Sequence, residues 1–170
     1  MKPKMPTATK ATPRRHARVQ SESVDNYLKA IYTLSGDERL RVGSSLLAEH
    51  LSIAPASVTN MLQRLAGERP TLVEYQRSRG VTLSATGRRR ALEIVRHHRL
   101  IETFLFEVLN YPIDEIHDEA EKLEHFISER FEARIAEVLG NPTSDPHGHC
   151  IPTLDGKLPP THGKSCNCGL

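Results

Sequence analysis

The chain has 170 residues, of which 38% are hydrophobic and 26% charged, and its formal net charge is +2. This composition suits one ordinary domain or two small ones, and it excludes a protein that attracts nucleic acid by net charge alone. No apolar run approaches the length that spans a bilayer and no secretory signal is evident, so we expect a cytoplasmic protein. The three cysteines all lie in the last 21 residues, so the core should need no disulfide.

Residues 1–20 form a basic segment with six Lys or Arg, three prolines and no acidic residue. Such a segment buries too little apolar surface to fold, and we predict a disordered arm over 1–20. It is either a plain solvated tail or an arm that contacts phosphates. Its lack of acidic residues also resembles a transit peptide, although it shows no clear amphipathic pattern.

A helix-turn-helix is predicted next. From Ser23 to Ser35, apolar residues recur at helical spacing, which indicates a first helix. A short helix follows in SSLLAEHL, and another in PASVTNMLQRLAGE opens with Pro55, a residue suited to a first helical turn. Two short helices joined by about four residues are typical of a helix-turn-helix.

A β-hairpin is predicted after Pro70. TLVEY and VTLS are rich in strand-forming residues, and QRSRG separates them, with Gly80 supplying a permissive backbone conformation. A hairpin directly after a helix-turn-helix is the wing of a winged helix. We therefore predict a DNA-binding domain over residues 21–84.

Two long helices are predicted after the wing, from about 85 to 109 and from about 113 to 139. They form a helical domain over residues 85–141. A chain of this size cannot hide the apolar faces of both helices, so we expect a homodimer. Residues 142–170 are rich in proline and glycine and predict a loose tail. Its Cys166-Asn167-Cys168 could chelate a soft ion together with His147, His149, Cys150 and His162, although the two cysteines lack the usual spacing of a structural zinc site.

The candidate DNA-binding surface lies on the second helix of the helix-turn-helix and on the wing. That helix enters the major groove with its N-terminal residues, where Asn matches the edge of adenine and Ala meets a thymine methyl. The alternative is a winged helix that docks a protein. The candidate residues are Pro55, Ala56, Ser57, Thr59, Asn60, Gln63, Arg64, Arg77 and Arg79.

Histidines and glutamates recur at helical spacing in the two long helices. His98 and Glu102 are four residues apart, and a second group consists of His117, Glu121, Glu124 and His125. On one helix the second group falls within an arc of about 100°. Imidazoles and carboxylates on one face are the ligands that divalent metals require. The alternative is an ordinary solvated face neutralised by Lys122 and Arg130. We expect no ligand role for His97, which points away from His98.

These residues, in this order, resemble the diphtheria toxin repressor family of iron- and manganese-dependent regulators. The resemblance spans about residues 22–156 and rests on SVDNYLKAIY, APASVTNMLQRL, VTLSATGRRRA, RHHRLIETFL and IHDEAEKLEH. It implies that metal binding pulls the first helix into place and sets two recognition helices for successive major grooves. It also implies two metal sites. The ancillary site would use His98, Glu102 and His117, and the primary site Asn26, Glu121, Glu124 and His125.

The sequence departs from the family pattern at several positions. Asn26 stands where relatives place Met or Asp, and Glu121 where iron-responsive relatives often have Cys and manganese-responsive ones Glu. A primary site of oxygen and nitrogen ligands favours Mn²⁺ over softer ions. Lys29 stands where some manganese-dependent members are acidic, which argues against their dinuclear pair. The chain ends where longer members begin an SH3-like domain that can complete the ancillary site.

The predicted fold is mainly α: an N-terminal winged helix-turn-helix plus a helical dimerisation and metal-binding domain, without an SH3-like third domain. We predict a homodimeric repressor of metal-uptake genes that binds a palindrome in double-stranded DNA when Mn²⁺ or Fe²⁺ is bound, other divalent transition metals being able to substitute. The alternative is a metal-independent winged-helix regulator. We do not expect an enzyme, because a carboxylate-bridged metalloenzyme would need paired Glu-x-x-His motifs. We also expect no membrane association and no small-molecule substrate.

Overall fold

The first helix, α1 (Arg15–Ser35), begins earlier than its apolar pattern predicts. The computed structural model describes residues 15–36 and 40–159, with side chains from residue 22 onward. Residues 15–20, which we expected in a disordered arm, are helical, so that prediction is wrong for them; residues 1–14 lie outside the described part. No proline or glycine separates Arg15 from Ser23, so the helical backbone can extend toward the N-terminus.

The helix-turn-helix and the wing form as predicted. Their elements are α2 (Ser44–His50), α3 (Pro55–Gly67), β1 (Val73–Gln76) and β2 (Gly80–Leu83). The strands are antiparallel, and Val42 adds a backbone bridge to Val81 on the outer side of β2. Gly80 has a φ of +85°, and a Cβ there would lie 2.3 Å from the carbonyl oxygen of Val42. Only glycine fits that position without strain.

The long helix α4 (Ala85–Glu107) joins two hydrophobic cores. Its first half packs with α1, α2, α3 and the wing, and its second half packs with the C-terminal helices. Ser84 caps it by accepting a hydrogen bond from the backbone N–H of Gly87 at 3.0 Å. A Cβ at Gly87 would lie 1.9 Å from the carbonyl oxygen of Leu72, so the helix approaches the backbone before the wing very closely. Neither α4 nor any other helix in the described residues is long and apolar enough to cross a membrane.

The prediction of one long helix over 113–139 is wrong, because the chain forms two shorter helices there. These are α5 (Ile116–Leu123) and α6 (Glu129–Val138), separated by a turn over residues 124–126. The side chain of Ser128 accepts a hydrogen bond from the backbone N–H of Phe131 and so begins a new helix. Glu124 and His125 consequently lie at the end of α5 and in the turn, rather than on one continuous helical face.

The prediction of a loose tail is wrong for residues 142–159, which pack against α4. Asp145 is buried and its Oδ1 accepts the backbone N–H groups of His147 and His149, each at 2.9 Å. Ile151 is 2% exposed and belongs to the second core. Cys150 is buried beside it and takes part in a disulfide, although the sequence led us to expect none. Irregular backbone is ordered here because its polar groups find partners within the chain. The candidate soft-ion chelator Cys166-Asn167-Cys168 lies outside the described residues.

Candidate functional site

His98 lies at the centre of a cluster of imidazole and carboxylate groups between α4 and α5. Its Nε2 lies 2.9 Å from Oε1 of Glu102 and 3.2 Å from Nδ1 of His117, and its Nδ1 lies 2.6 Å from Oε2 of Glu124. Burial alone would lower the pKa of His98, but the hydrogen bonds to Glu102 and Glu124 outweigh that effect and raise the pKa above its usual value. Protons therefore compete strongly with any metal ion for this imidazole.

Glu102 is a buried carboxylate that stays charged. Burial favours its neutral form, but hydrogen bonds from His98 and His117 prevail and lower its pKa below the usual carboxyl value. His117 Nδ1 lies 3.3 Å from Glu102 Oε1. The three side chains predicted as an ancillary site are thus in mutual contact.

Glu121 and Glu124 both contact the ammonium of a lysine on α1. The ammonium of Lys29 lies 2.7 Å from Oε1 of Glu121 and 2.8 and 3.0 Å from the two carboxylate oxygens of Glu124. Glu124 is fully buried. Burial opposes ionisation of Glu121, but its hydrogen bond with Lys29 lowers the pKa of this carboxyl group. Two carboxyl groups that the sequence predicts as ligands are therefore held next to each other around one ammonium.

Asn26 and His125 complete the group predicted as the primary site. Nε2 of His125 lies 2.8 Å from Oδ1 of Asn26 and 3.4 Å from Oε1 of Glu124, so this nitrogen faces the candidate ligands. Its buried Nδ1 has no hydrogen-bond partner among the described residues, and Oδ2 of Asp25 lies 3.7 Å from it. Arg90 on α4 bonds Asp25 at 2.6 Å. Asp25 is thus placed to orient the ring from behind, as carboxylates do for metal-binding histidines.

The chemistry of this cluster fits a divalent transition metal. His98, His117 and Glu121 offer ligand atoms that all lie within 4.8 Å of one another. Imidazoles and carboxylates supply both the donor atoms and the negative charge that such an ion needs. Glu121, assigned to the primary site by order in the sequence, therefore lies close to two residues of the ancillary site.

His97, which we expected to have no ligand role, lies outside this cluster and supports it. Its Nδ1 lies 3.1 Å from the carbonyl oxygen of Glu124, and its Nε2 lies 3.1 Å from Oε2 of Glu132. Burial would lower the pKa of His97, but Glu132 outweighs it and raises the pKa. Arg96 pairs with the same carboxylate. The turn that carries Glu124 is thereby fixed to α4.

The predicted DNA-binding residues lie on one exposed surface of α3 and at the tip of the wing. Val58, Leu62 and Leu65 face the core, which turns the opposite side of the helix to solvent. Thr59 is half-buried and its hydroxyl donates a hydrogen bond to the carbonyl oxygen of Pro55 at 3.1 Å. The exposed candidates are Pro55, Ala56, Ser57, Asn60, Gln63, Arg64, Arg77 and Arg79.

Comparison with known proteins matches both domains to one family. The profile of the "Iron dependent repressor, N-terminal DNA binding domain" matches residues 20–81, and that of the "Iron dependent repressor, metal binding and dimerisation domain" matches residues 84–153. The iron-dependent repressor IdeR of Mycobacterium leprae is 35% identical over 133 residues, and the diphtheria toxin repressor of Corynebacterium diphtheriae is 33% identical over 134. The chain belongs to the diphtheria toxin repressor family.

The match to this repressor family covers most of the chain and little more than half of its relatives. It includes 78% of this chain and 56% of the Mycobacterium leprae protein, and 79% and 58% for the Corynebacterium diphtheriae protein. A solved manganese-dependent transcriptional repressor in complex with manganese is 43% identical, with a TM-score of 0.73, over 80% of this chain and 61% of that one. The predicted fold class is confirmed for the described residues.

Sequence reasoning grouped His147 and His149 with the tail cysteines as a candidate soft-ion chelator, and so it missed the contribution to this cluster of the segment after α6. It brings His147 to the site, with Nε2 4.0 Å from Oε1 of Glu102. His147, His149 and Asp145 line a cavity of about 370 Å³ together with His98 and His117. The signal was present in the run Asp-Pro-His-Gly-His over residues 145–149, but its proline and glycine led us to place it in a loose tail.

Proposed function

We propose that this protein is a homodimeric repressor that binds a palindromic site in double-stranded DNA when Mn²⁺ or Fe²⁺ occupies the cluster around His98. The observation that carries the proposal is the contact between Asn26 of α1 and His125 of the turn after α5, at 2.8 Å. It joins the helix that packs beside the DNA-binding motif to the metal-ligating groups. A regulatory role in the cytoplasm fits better than an enzymatic one, because the site adjoins a winged helix and the relatives are named as repressors.

The candidate ligands are Asn26, Glu121, Glu124 and His125 for a primary site, and His98, Glu102 and His117 for an ancillary one. A bound divalent ion would supply positive charge to these carboxylates and a fixed link between their helices. The side chains offer only oxygen and nitrogen, which suits Mn²⁺ and Fe²⁺ better than soft ions. Resemblance to the family implies metal-uptake genes as the regulated targets.

The proposed switch depends on the difference between two states of α1. An ion held by both Asn26 and His125 favours the arrangement of α1 that suits DNA binding, so the ion binds that state more tightly. The coupling is reciprocal, and operator DNA must raise metal affinity by the same factor. Typical couplings of about 1–3 kcal/mol change operator affinity roughly 5- to 150-fold.

The test measures the affinity of the protein for operator DNA at a fixed salt concentration. The measurement is made with Mn²⁺, with Fe²⁺ under reducing conditions, and with a chelator that removes both ions. We compare the wild type, Glu124→Gln and His125→Ala, with Glu119→Gln as a control on the same helix, because Glu119 pairs only with the exposed Lys122 among the described contacts. Wild type and control should gain affinity with metal, and the two site variants should retain only weak, salt-sensitive binding. Equal wild-type affinities with and without metal would reject the proposal and favour a metal-independent regulator.

A further inference from the structure

Lys29 places a positive charge among the candidate metal ligands. Its ammonium bonds Glu121 and both carboxylate oxygens of Glu124, and it lies 3.2 Å from Nδ1 of His98. We propose that Lys29 is a tethered competitor of the metal ion, one that occupies the carboxylates in the metal-free chain and must leave them when a divalent ion binds. This inference rests on the proposed function of the same site.

The first argument is burial. The side chain of Glu124 is fully buried, and that of Lys29 is only 16% exposed. A buried carboxylate that loses its cationic partner is strongly destabilising, so a cation beside Glu124 stabilises the folded chain. Among the described residues, Lys29 is the lysine that contacts it. The ammonium therefore stabilises the metal-free site.

The second argument is that both cations need the same atoms. The ammonium bonds Oε1 of Glu121 and both oxygens of Glu124, which are also the oxygens available to a metal ion. An ion bound there would lie within a few ångströms of the ammonium, and two positive charges at that separation repel each other. Metal binding must therefore break the bonds of Lys29, and their loss lowers the apparent metal affinity.

The third argument is the position of Lys29 on α1. Asn26 lies one turn before it on the same helix and faces His125, while Lys29 faces Glu121 and Glu124. Replacing the ammonium by an ion would release the link through Lys29 and leave the link through Asn26. The exchange changes how α1 is held against α5 without detaching it.

The test compares metal-free wild type, Lys29→Gln and Lys122→Gln, a control with the same loss of charge on a lysine that pairs with Glu119. Thermal unfolding in chelator measures the stability of the metal-free chain. Competition with a fluorescent chelator measures Mn²⁺ affinity without DNA. We expect Lys29→Gln to unfold at a lower temperature than wild type in chelator, and to bind Mn²⁺ roughly tenfold or more tightly because the like charge is gone. Lys122→Gln should match wild type in both measurements.

Each other outcome has a definite meaning. If wild type and Lys29→Gln bind Mn²⁺ with equal affinity, or if the variant binds it more weakly, the competitor role is rejected and the proposed function stands. If neither protein binds Mn²⁺ or Fe²⁺, both proposals fail. If Lys29→Gln is unfolded in chelator, Mn²⁺ should restore its folding, because the ion replaces the missing cation; failure of that rescue would also reject the competitor role.

Discussion

His98 lies between two groups of candidate ligands and contacts both. One ring nitrogen faces Glu124 and the other faces Glu102 and His117. Because both nitrogens are engaged, the imidazole connects the group that the family pattern divides into a primary and an ancillary site. The seven predicted ligands form one network of contacts, in which occupation of one part would change the charge felt by the rest.

Base recognition is a prediction at the scale of one residue. Asn60 is exposed on α3, and Arg77 is exposed at the tip of the wing. We expect Asn60→Ala to lower the discrimination between bases by about 1–3 kcal/mol at one position per half-site, because an amide makes a bidentate contact with adenine. Arg77→Ala should weaken binding to all sequences and reduce its salt dependence. Binding of a panel of operator variants at several salt concentrations measures both, and a uniform loss for Asn60→Ala would show that this residue does not contact a base.

Among the elements, α4 connects the two functions of the chain. Gly87 near its start packs against the backbone before the wing, while His98 and Glu102 in its second half belong to the candidate metal cluster. One continuous helix therefore carries both the support of the DNA-binding domain and part of the proposed metal site. In the proposed switch, α4 connects the two sites while the contacts of α1 change.

The packed segment after α6 gives a prediction at the scale of an element. Ile151 is 2% exposed in the second core, and Leu154 three residues later is 76% exposed. Ile151→Ala should lower the free energy of unfolding by about 2–5 kcal/mol, because it leaves a cavity among buried side chains. Leu154→Ala should change it by no more than about 0.5 kcal/mol. Chemical denaturation of the metal-free proteins measures both, and a small effect at Ile151 would mean that this segment contributes little to the core.

At the scale of the whole molecule, the helical domain exposes eight large apolar side chains. Exposed apolar side chains on a single chain mark an interaction surface when they cluster. The profile that matches residues 84–153 describes a dimerisation domain, which supports a second copy of this chain as the proposed partner. The exposed apolar residues of this domain are Phe106, Val108, Leu109, Ile113, Leu123, Phe126, Phe131 and Val138.

The proposed dimer is tested by placing a charge at one of these exposed apolar positions. Phe131 on α6 is 50% exposed, and only its backbone takes part in the cap of that helix. Phe131→Glu should raise the dimer dissociation constant roughly 30-fold or more, as loss of a central aromatic contact does. Leu154→Glu, on the segment after α6, is the control. Sedimentation equilibrium of both variants gives the constants, and an unchanged dimer for Phe131→Glu would show that the interface lies elsewhere.

Much of the fold was determined by local patterns in the sequence. Pro55 marks the start of α3, the strand-forming residues around Gly80 predict the wing, and the helical period from Ala85 predicts α4. Each of these signals depends on backbone preferences of neighbouring residues, so it survives without knowledge of the tertiary structure. The candidate ligands and their order were likewise predicted from the sequence.

Only the tertiary structure decided where the helices of the second half end and what packs against them. The apolar period continues from Ile116 to Val138, but the cap at Ser128 and the contacts of His97 with the backbone of Glu124 divide it into α5 and α6. The ammonium of Lys29 reaches Glu121 from 92 positions away in sequence. Contacts of this kind depend on which groups burial brings together, and a buried charge selects its partner by position in space rather than by spacing along the chain.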